Sequence, residues 1–213
     1  MIPDQTAIWN KKHSLGEHEG LRHAPSSLAV LVEAELARES HILELGCGVG
    51  GDTVFFAEKS HTVVATDASE VVIEQNKKHF KDSTVDFLVL DMQQPLPYSE
   101  GFFDTVFANL SLHYYSHTKT REIVEEIARV LKPNGIFAFA CKSVDDIHHG
   151  VGEEVEKDIF VSPSGHVRHL FTIPYTKELL GDLFSIELVD TIGEEYNKVQ
   201  SNILRCIARK VGE

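Results

Sequence analysis

The sequence predicts an α/β fold in which a mostly parallel sheet is covered by helices on both faces. Short apolar strands alternate with amphipathic helices between residues 28 and 140, the pattern of a doubly wound sheet. The first strand, 42–45, runs directly into a loop of closely spaced glycines. The next two strands end at Asp67 and Asp91. Because ligands bind beyond the carboxyl ends of such strands, these segments also locate the expected site.

The elements follow one another in a regular order. Ser26 or Ser27 can cap the first predicted helix, and Ser69 can cap a later one. The strands expected after the first are 61–66, 85–90, 103–108 and 135–140, and the most regular helix is 119–131.

The C-terminal part follows a different pattern. Thr176 is expected to cap a short helix, and two final strands, 186–191 and 203–209, are separated by a polar segment at 193–201. Because no full crossover helix lies between them, we expect an antiparallel hairpin at one edge of the sheet.

Length and composition favour one domain over residues 1–213. We divide it into a leader and helix (1–40), a cofactor-binding core (41–141), a lid or substrate segment (142–175), and a closing helix with a strand pair (176–213). No apolar stretch reaches the roughly 20 residues that span a bilayer, and the first residues lack the features of a signal peptide. We therefore expect a cytoplasmic protein.

Charge and cysteine content exclude several classes of partner. The formal net charge of −13 repels phosphate backbones and anionic membranes, so neither is expected as a partner. Cys47, Cys141 and Cys206 form no C-x-x-C pair, so no disulfide framework or cysteine zinc site is expected. The histidines of the lid segment lack helical ligand spacing, and we expect no metal there; they are His148, His149, His166 and His169.

The glycine loop satisfies two fingerprints at once. Gly46, Gly48 and Gly51 have the G-x-G-x-x-G spacing of a dinucleotide site. Glu44, Gly46, Gly48 and Gly50 equally fit the acidic-x-G-x-G-x-G pattern of proteins that bind S-adenosylmethionine. The loop alone does not separate these two ligands.

Residues at the ends of the later strands favour the second ligand. Asp67 can accept hydrogen bonds from ribose hydroxyls in either case. Asp91 can accept one from an adenine amino group, while Met92 packs on the ring. A dinucleotide-binding fold does not require an acidic residue at position 91.

The segment Phe103–Tyr114, which contains the fourth strand and the residues after it, resembles the fourth motif of class I S-adenosylmethionine-dependent methyltransferases, as does Leu131-Lys132-Pro133-Asn134-Gly135 further along. The resemblance covers about residues 42–140. It implies a Rossmann-like, seven-stranded sheet whose last strand is antiparallel, with S-adenosylmethionine as the cofactor.

The resemblance also assigns roles to residues of this sequence. Glu44 to Gly50 would hold the methionine end of the cofactor, Asp67 with Ala68 the ribose, and Asp91 with Met92 the adenine; Asn109 and Leu110 would lie near the reacting methyl group. The positions in the first loop are Glu44, Gly46, Cys47, Gly48 and Gly50. The leader resembles that of thiopurine and tellurite methyltransferases, which implies that Trp9 belongs to a lid and that Arg22 meets the cofactor carboxylate.

The expected function is methyl transfer to a small-molecule acceptor. His113 is the candidate general base, because it follows the fourth strand at the ligand edge and titrates near neutrality. Two alternatives stay open: an NAD(P)-dependent oxidoreductase that uses the same glycine loop, and a regulator that binds S-adenosylmethionine without catalysis. The acceptor and the oligomeric state do not follow from the sequence.

Overall fold

A seven-stranded sheet with helices on both faces forms the body of the protein. The computed structural model describes residues 2–22, 24–196 and 199–212. The sheet strands are β1 His41–Leu45, β2 Thr62–Asp67, β3 Asp86–Val89, β4 Phe103–Asn109, β5 Leu131–Lys142, β9 Phe184–Tyr196 and β10 Val199–Lys210. The helices are α1 Thr6–Ser14, α2 Ser27–Glu33, α3 Gly51–Glu58, α4 Glu70–His79, α5 His117–Val130 and α6 Ile173–Leu180.

The strand order is β3-β2-β1-β4-β5-β10-β9. β1 pairs in parallel with β2 and β4, whereas β10 is antiparallel to both β5 and β9. This confirms the predicted α/β, doubly wound, seven-stranded sheet in which the last strand is antiparallel. Two apolar cores lie on its opposite faces, with Leu43 and Leu45 in one and Ile42 in the other, as alternating side chains on a buried strand require.

Helix starts follow local capping chemistry. The Ser26 hydroxyl accepts from the Ala29 N–H at 3.1 Å at the start of α2, so Ser26 is the cap. Thr176 does not cap α6: the cap is Thr172, whose Oγ1 accepts from the Tyr175 N–H at 3.1 Å, and Thr176 lies buried inside the helix. Pro174, which is favourable only in the first turn of a helix, explains the earlier start.

The C-terminal hairpin is longer than the sequence pattern suggests. β9 and β10 pair through the segment expected to be a polar connection, with Gly193 opposite Asn202 and Glu195 opposite Gln200. Backbone pairing between the two strands satisfies the main chain there, so no apolar alternation is needed. β5 pairs with β10 only as far as Ile203. The end of the hairpin that lies before Ile203 in β10 therefore extends past the last residue of β5.

The lid segment forms a small antiparallel sheet of its own. Its strands are β6 Glu153–Glu156, β7 Ile159–Val161 and β8 Val167–His169. The leader helix α1 is tied to it by Gln5, whose Nε2 donates to the Gly165 carbonyl and whose Oε1 accepts from the Val167 N–H, each at 3.0 Å. None of the helices in the described part of the chain is long and apolar enough to cross a membrane.

Candidate functional site

A cleft of about 550 Å³ lies at the carboxyl ends of the parallel strands. Its floor is the glycine loop and the ends of β2, β3 and β4, and its roof is the leader, the small sheet and the hairpin. Of the residues predicted for the site, those that line the cleft are Trp9, Glu44, Gly46, Cys47, Gly48, Asp67, Ala68, Asp91, Met92, Asn109, Leu110 and His113. The two others, Gly50 and Arg22, lie behind the glycine loop.

The glycine loop is held open toward the cleft. Gly46 has φ +76°, and a Cβ there would lie 2.4 Å from Cβ of Ser111, so only glycine fits between the loop and the segment after β4. Gly48 has φ +50° and open space around it. The Gly48 N–H donates to Oδ2 of Asp67 at 3.0 Å. The end of β2 therefore fixes the shape of the loop.

Arg22 and Gly50 support the loop from behind. The Nη1 group of Arg22 donates to the Val49 carbonyl at 3.1 Å and to Oδ1 of Asn76 at 2.6 Å, and Nη2 donates to Glu19. Arg22 is buried with these partners, so its position differs from the expected contact with a cofactor carboxylate. Gly50 has φ +83° and precedes the first turn of α3.

Three carboxylates gather at the cleft floor. Glu44 is buried, and its Oε2 accepts from the Thr53 hydroxyl at 2.5 Å. Asp52 is also buried; it accepts from Ser26 and, at 3.2 Å, from Nδ2 of Asn109. Burial raises the pKa of Glu44 and Asp67 and brings the pKa of Asp52 to about 6. This floor favours a cationic ligand.

The ends of β3 and β4 complete the floor. Asp91 accepts from the Gln93 N–H at 2.9 Å, and Met92 is buried beside it. Leu110 has φ +53°, a strained conformation for a side chain other than glycine. Its N–H donates to the Ala140 carbonyl at 2.8 Å, which holds the turn after β4 against β5.

His113 is buried at the cleft wall. Its Nδ1 is a buried atom without a hydrogen-bond partner in the described structure. Burial, reinforced by Lys142 and Arg168, lowers the pKa of this imidazole well below its ordinary value. His113 is therefore neutral at physiological pH.

A second histidine of the cleft, His148, is oriented by a carboxylate. Its Nδ1 lies 2.5 Å from Oδ1 of Asp146, which is buried. Lys142 donates to Oδ2 of the same carboxylate at 3.0 Å. Burial would raise the pKa of Asp146, but the hydrogen bonds from His148 and Lys142 bring it below its ordinary value. The arrangement leaves Nε2 of His148 for a ligand.

The four histidines of the lid segment do not form one cluster. His148 and His166 line the cleft, His149 lies near Asp158 at 3.6 Å, and His169 packs against Phe171 and Tyr175. Among the described residues, no group of three or more His, Cys, Asp or Glu side chains could hold a metal ion.

Trp9 joins the leader to the rest of the roof. Its ring centroid lies 5.4 Å from that of Tyr114 and 5.6 Å from that of His166, both in edge-on geometry. The leader is also anchored to α4, since the Ser69 hydroxyl donates to Oδ1 of Asn10 at 2.6 Å. Together these contacts hold the leader over the cleft.

Five residues of the site were missed in the sequence pattern: Gln5, Asp52, Lys142, Asp146 and Arg168. Asp52 directly follows the glycines, and an acid at the start of a helix there was an available signal. Gln5, Asp146 and Arg168 lie in segments without periodicity, so only tertiary contacts reveal them.

Comparison with known proteins identifies the family. Residues 42–135 match the family model described as a methyltransferase domain. An uncharacterized methyltransferase of Synechocystis is 37% identical over 97 residues, covering 46% of this chain and 44% of that protein. The sarcosine/dimethylglycine N-methyltransferase of Halorhodospira halochloris is 30% identical over 155 residues, covering 70% and 52%. The chain thus spans about half the length of the curated relatives it matches.

A solved structure shares the fold over nearly the whole chain. The 1,6-didemethyltoxoflavin-N1-methyltransferase of Burkholderia thailandensis, solved with 1,6-didemethyltoxoflavin and S-adenosylhomocysteine bound, superposes with a TM-score of 0.78. It is 22% identical, and the match covers 97% of this chain and 87% of that one. Domain match, relatives and fold agree with the motifs around the cleft: residues 42–135 form a methyltransferase domain, in a chain that has the fold of the solved S-adenosylmethionine-dependent methyltransferases.

Proposed function

We propose that this protein binds S-adenosylmethionine in the cleft and transfers its methyl group to a small-molecule acceptor. The observation that carries the proposal is the meeting of Gly48, Asp67, Asp91, Met92 and Asn109 around one cleft. These residues come from four separate strand ends. Two of the similar proteins are named for small-molecule methylation, which supports the acceptor class.

The acidic floor suits this cofactor. S-adenosylmethionine carries positive charge on its sulfonium and its amino group. Burial raises the pKa of Glu44, Asp52 and Asp67, and no Lys or Arg is paired to them in the described structure. The positive charge of the cofactor would stabilise their ionised forms beneath the glycine loop. We assign the methionine end to Glu44 and the loop, the ribose to Asp67 and Ala68, and the adenine to Asp91 and Met92. Each oxygen of Asp67 has an acceptor site left for a hydroxyl.

Methyl transfer needs alignment and a dry site more than acid–base assistance. The acceptor attacks the methyl carbon in line with the departing sulfur, so both must be held in one geometry. We assign this alignment to Asn109 and Leu110 and the exclusion of water to the roof: the leader (1–40), with Trp9, and the lid segment (142–175). The core (41–141) and the closing segment (176–213) form the body of the same domain.

A base is needed when the acceptor must lose a proton. His113 remains a candidate because its neutral imidazole lines the cleft with an unpaired Nδ1. We favour His148, since Asp146 fixes its tautomer and orientation while Nε2 is left for the acceptor.

Two ligand assays test the proposal against its alternatives. Calorimetry should detect S-adenosylhomocysteine binding and no comparable NADH binding; the reverse result would establish the oxidoreductase alternative, which the matching proteins do not support. A labelled-methyl screen over thiols, amines, phenols and carboxylates then separates an enzyme from a cofactor-binding regulator. We place the reaction in the cytoplasm, where the free thiols of Cys47, Cys141 and Cys206 stay reduced.

A further inference from the structure

One cationic side chain of the cleft has no hydrogen-bond or ion-pair partner among the described residues. Arg168, on β8, lines the cleft and is partly buried. Within the described ranges its guanidinium makes no hydrogen bond or ion pair, and burial lowers its pKa from the ordinary value. The side-chain nitrogens of Arg168 are not among the fully buried, unpaired polar atoms of the described structure, so its N–H donors stay accessible from the cleft. Such a group is poised for a ligand.

The carboxylate that acts electrostatically on Arg168, Asp146, cannot serve as that partner. Tyr114 and Asp146 both act on Arg168 electrostatically, and both oxygens of Asp146 are already in use. Oδ1 accepts from the main-chain N–H and from Nδ1 of His148, and Oδ2 accepts from Lys142 and the Asn202 N–H. Four donors fill the acceptor sites of one carboxylate. Asp146 is therefore saturated, and Arg168 stays available.

Three other carboxylates that line the cleft act on groups other than Arg168. Glu194 raises the pKa of Asp52, Asp4 acts on Tyr115, and Glu17 acts on His13 and His18. Lys142 and Arg168, by contrast, both lower the pKa of His113 and of His148. The cleft thus has an acidic floor at the glycine loop and a basic wall formed by Lys142 and Arg168.

We propose that the acceptor carries an oxyanion group, a carboxylate or a phosphate, that binds to the guanidinium of Arg168 beside His148. This inference rests on the proposed function and names its substrate class. The planar guanidinium can donate two parallel hydrogen bonds to such a group. The acidic floor then holds the cationic cofactor, and the basic wall holds the anionic acceptor. The opposite charges of floor and wall keep each ligand in its own half of the cleft.

The test uses the fluorescence of Trp9, which is the only tryptophan of the chain and lies 5.6 Å from His166 in the same wall. Benzoate, 4-hydroxybenzoate, succinate and phenyl phosphate are titrated into the full chain, with and without S-adenosylhomocysteine. Benzamide, 4-hydroxybenzamide, succinamide and phenol serve as neutral counterparts. We expect saturable binding of at least one anion and binding about 10-fold weaker or more for its neutral counterpart. Comparing carboxylates with phenyl phosphate identifies the oxyanion.

Arg168→Gln should abolish the preference for the anion. Arg168→Lys should retain part of it, because lysine keeps the positive charge but cannot donate two parallel hydrogen bonds. Arg121→Gln is the matched control: Arg121 is exposed on α5, near Glu178 at 3.7 Å, and its loss changes the net charge equally. Both Arg168 variants should fold, since the side chain has no partner to lose; Tm measurements check this, and Arg168→Lys carries the test if Arg168→Gln unfolds.

The outcomes separate this inference from the proposed function. Anion binding that is unchanged in Arg168→Gln, equal affinity for anions and neutral counterparts, or no saturable anion binding by the unmodified protein each overturns the inference. S-adenosylhomocysteine affinity, measured by calorimetry, should be the same in Arg168→Gln and the unmodified protein. Failure of the unmodified protein to bind S-adenosylhomocysteine contradicts the proposed function, whereas the anion titration without cofactor still decides the role of Arg168.

Discussion

The first turn of α3 and the leader touch through main-chain atoms: a Cβ on Gly51 would lie 2.3 Å from the carbonyl oxygen of Leu21 and 2.8 Å from that of Ala24. Gly51 thus lets the leader backbone pack against the start of α3. Gly51 is the third glycine of the G-x-G-x-x-G spacing. This contact explains why a glycine is needed there, so the spacing does not require a bound pyrophosphate.

We expect Gly51→Ala to displace the leader and to reduce the free energy of unfolding by about 1–3 kcal/mol. Urea unfolding measures the stability, and Trp9 fluorescence reports the leader. The matched control is Gly20→Ala, since no atom lies within 4 Å of a Cβ at Gly20. Equal effects of the two substitutions would show that the close contact is unimportant.

Asp52 should make the ligand-free protein less stable as pH rises. Burial raises its pKa from 3.8 to about 6, so the native state binds this proton more tightly than the unfolded chain. The resulting stabilisation is full below pH 3.8 and is lost as pH rises through about 6. The unmodified protein should therefore lose on the order of 2–3 kcal/mol of unfolding free energy relative to Asp52→Asn between pH 4 and pH 8.

Urea unfolding at several pH values checks this expectation, with the exposed Asp82→Asn as control. Parallel stability profiles for Asp52→Asn and the unmodified protein would contradict it.

Asp67 connects cofactor binding to the shape of the glycine loop. Its Oδ2 accepts from Gly48 and its Oδ1 accepts from the Ser69 N–H at 2.8 Å. Asp67→Asn replaces one acceptor oxygen by a donor, and we expect S-adenosylhomocysteine affinity to fall about 10-fold or more. Calorimetry measures the loss. Asp86→Asn, on the exposed face of β3, is the control, and a similar loss there would rule out a specific role for Asp67.

The two candidate bases can be distinguished by the pH dependence of kcat once an acceptor is found. Burial lowers the pKa of His148, although Asp146 opposes the shift, and the pKa of His113 is lowered well below the ordinary value. If His148 is the base, kcat rises with pH through a midpoint below 6.5. His148→Gln should then lower kcat about 100-fold or more and remove that midpoint.

His113→Gln is the comparison variant for this experiment. It should leave the midpoint in place and change kcat less than His148→Gln does. A midpoint that persists in His148→Gln and disappears in His113→Gln would reverse the assignment.

Much of the fold followed from the sequence because it depends on local patterns. The apolar run Ile42–Leu45, the cap at Ser69 and the regular apolar face of α5 each act over a few residues. The cap at Thr176 was wrong because Thr172 starts the helix earlier, and the length of the last hairpin was wrong because side-chain polarity was misleading there. The hairpin from Phe184 to Lys210 is held by backbone pairing, and polar side chains there hid its length.

The candidate site likewise has a part that the sequence predicts and a part that only the tertiary structure shows. The sequence by itself determined the cleft floor, because the carboxyl ends of parallel strands must meet at one edge of the sheet and the glycines, Asp67 and Asp91 lie at those ends. Only the tertiary structure decided the roof and the basic wall. Asp146 and His148 are two residues apart and contact each other locally. Arg168 reaches the cleft through the small sheet, and the hairpin brings the Asn202 N–H to Asp146 from far along the chain. No local pattern encodes that meeting, because its energy comes from long-range packing and hydrogen bonds.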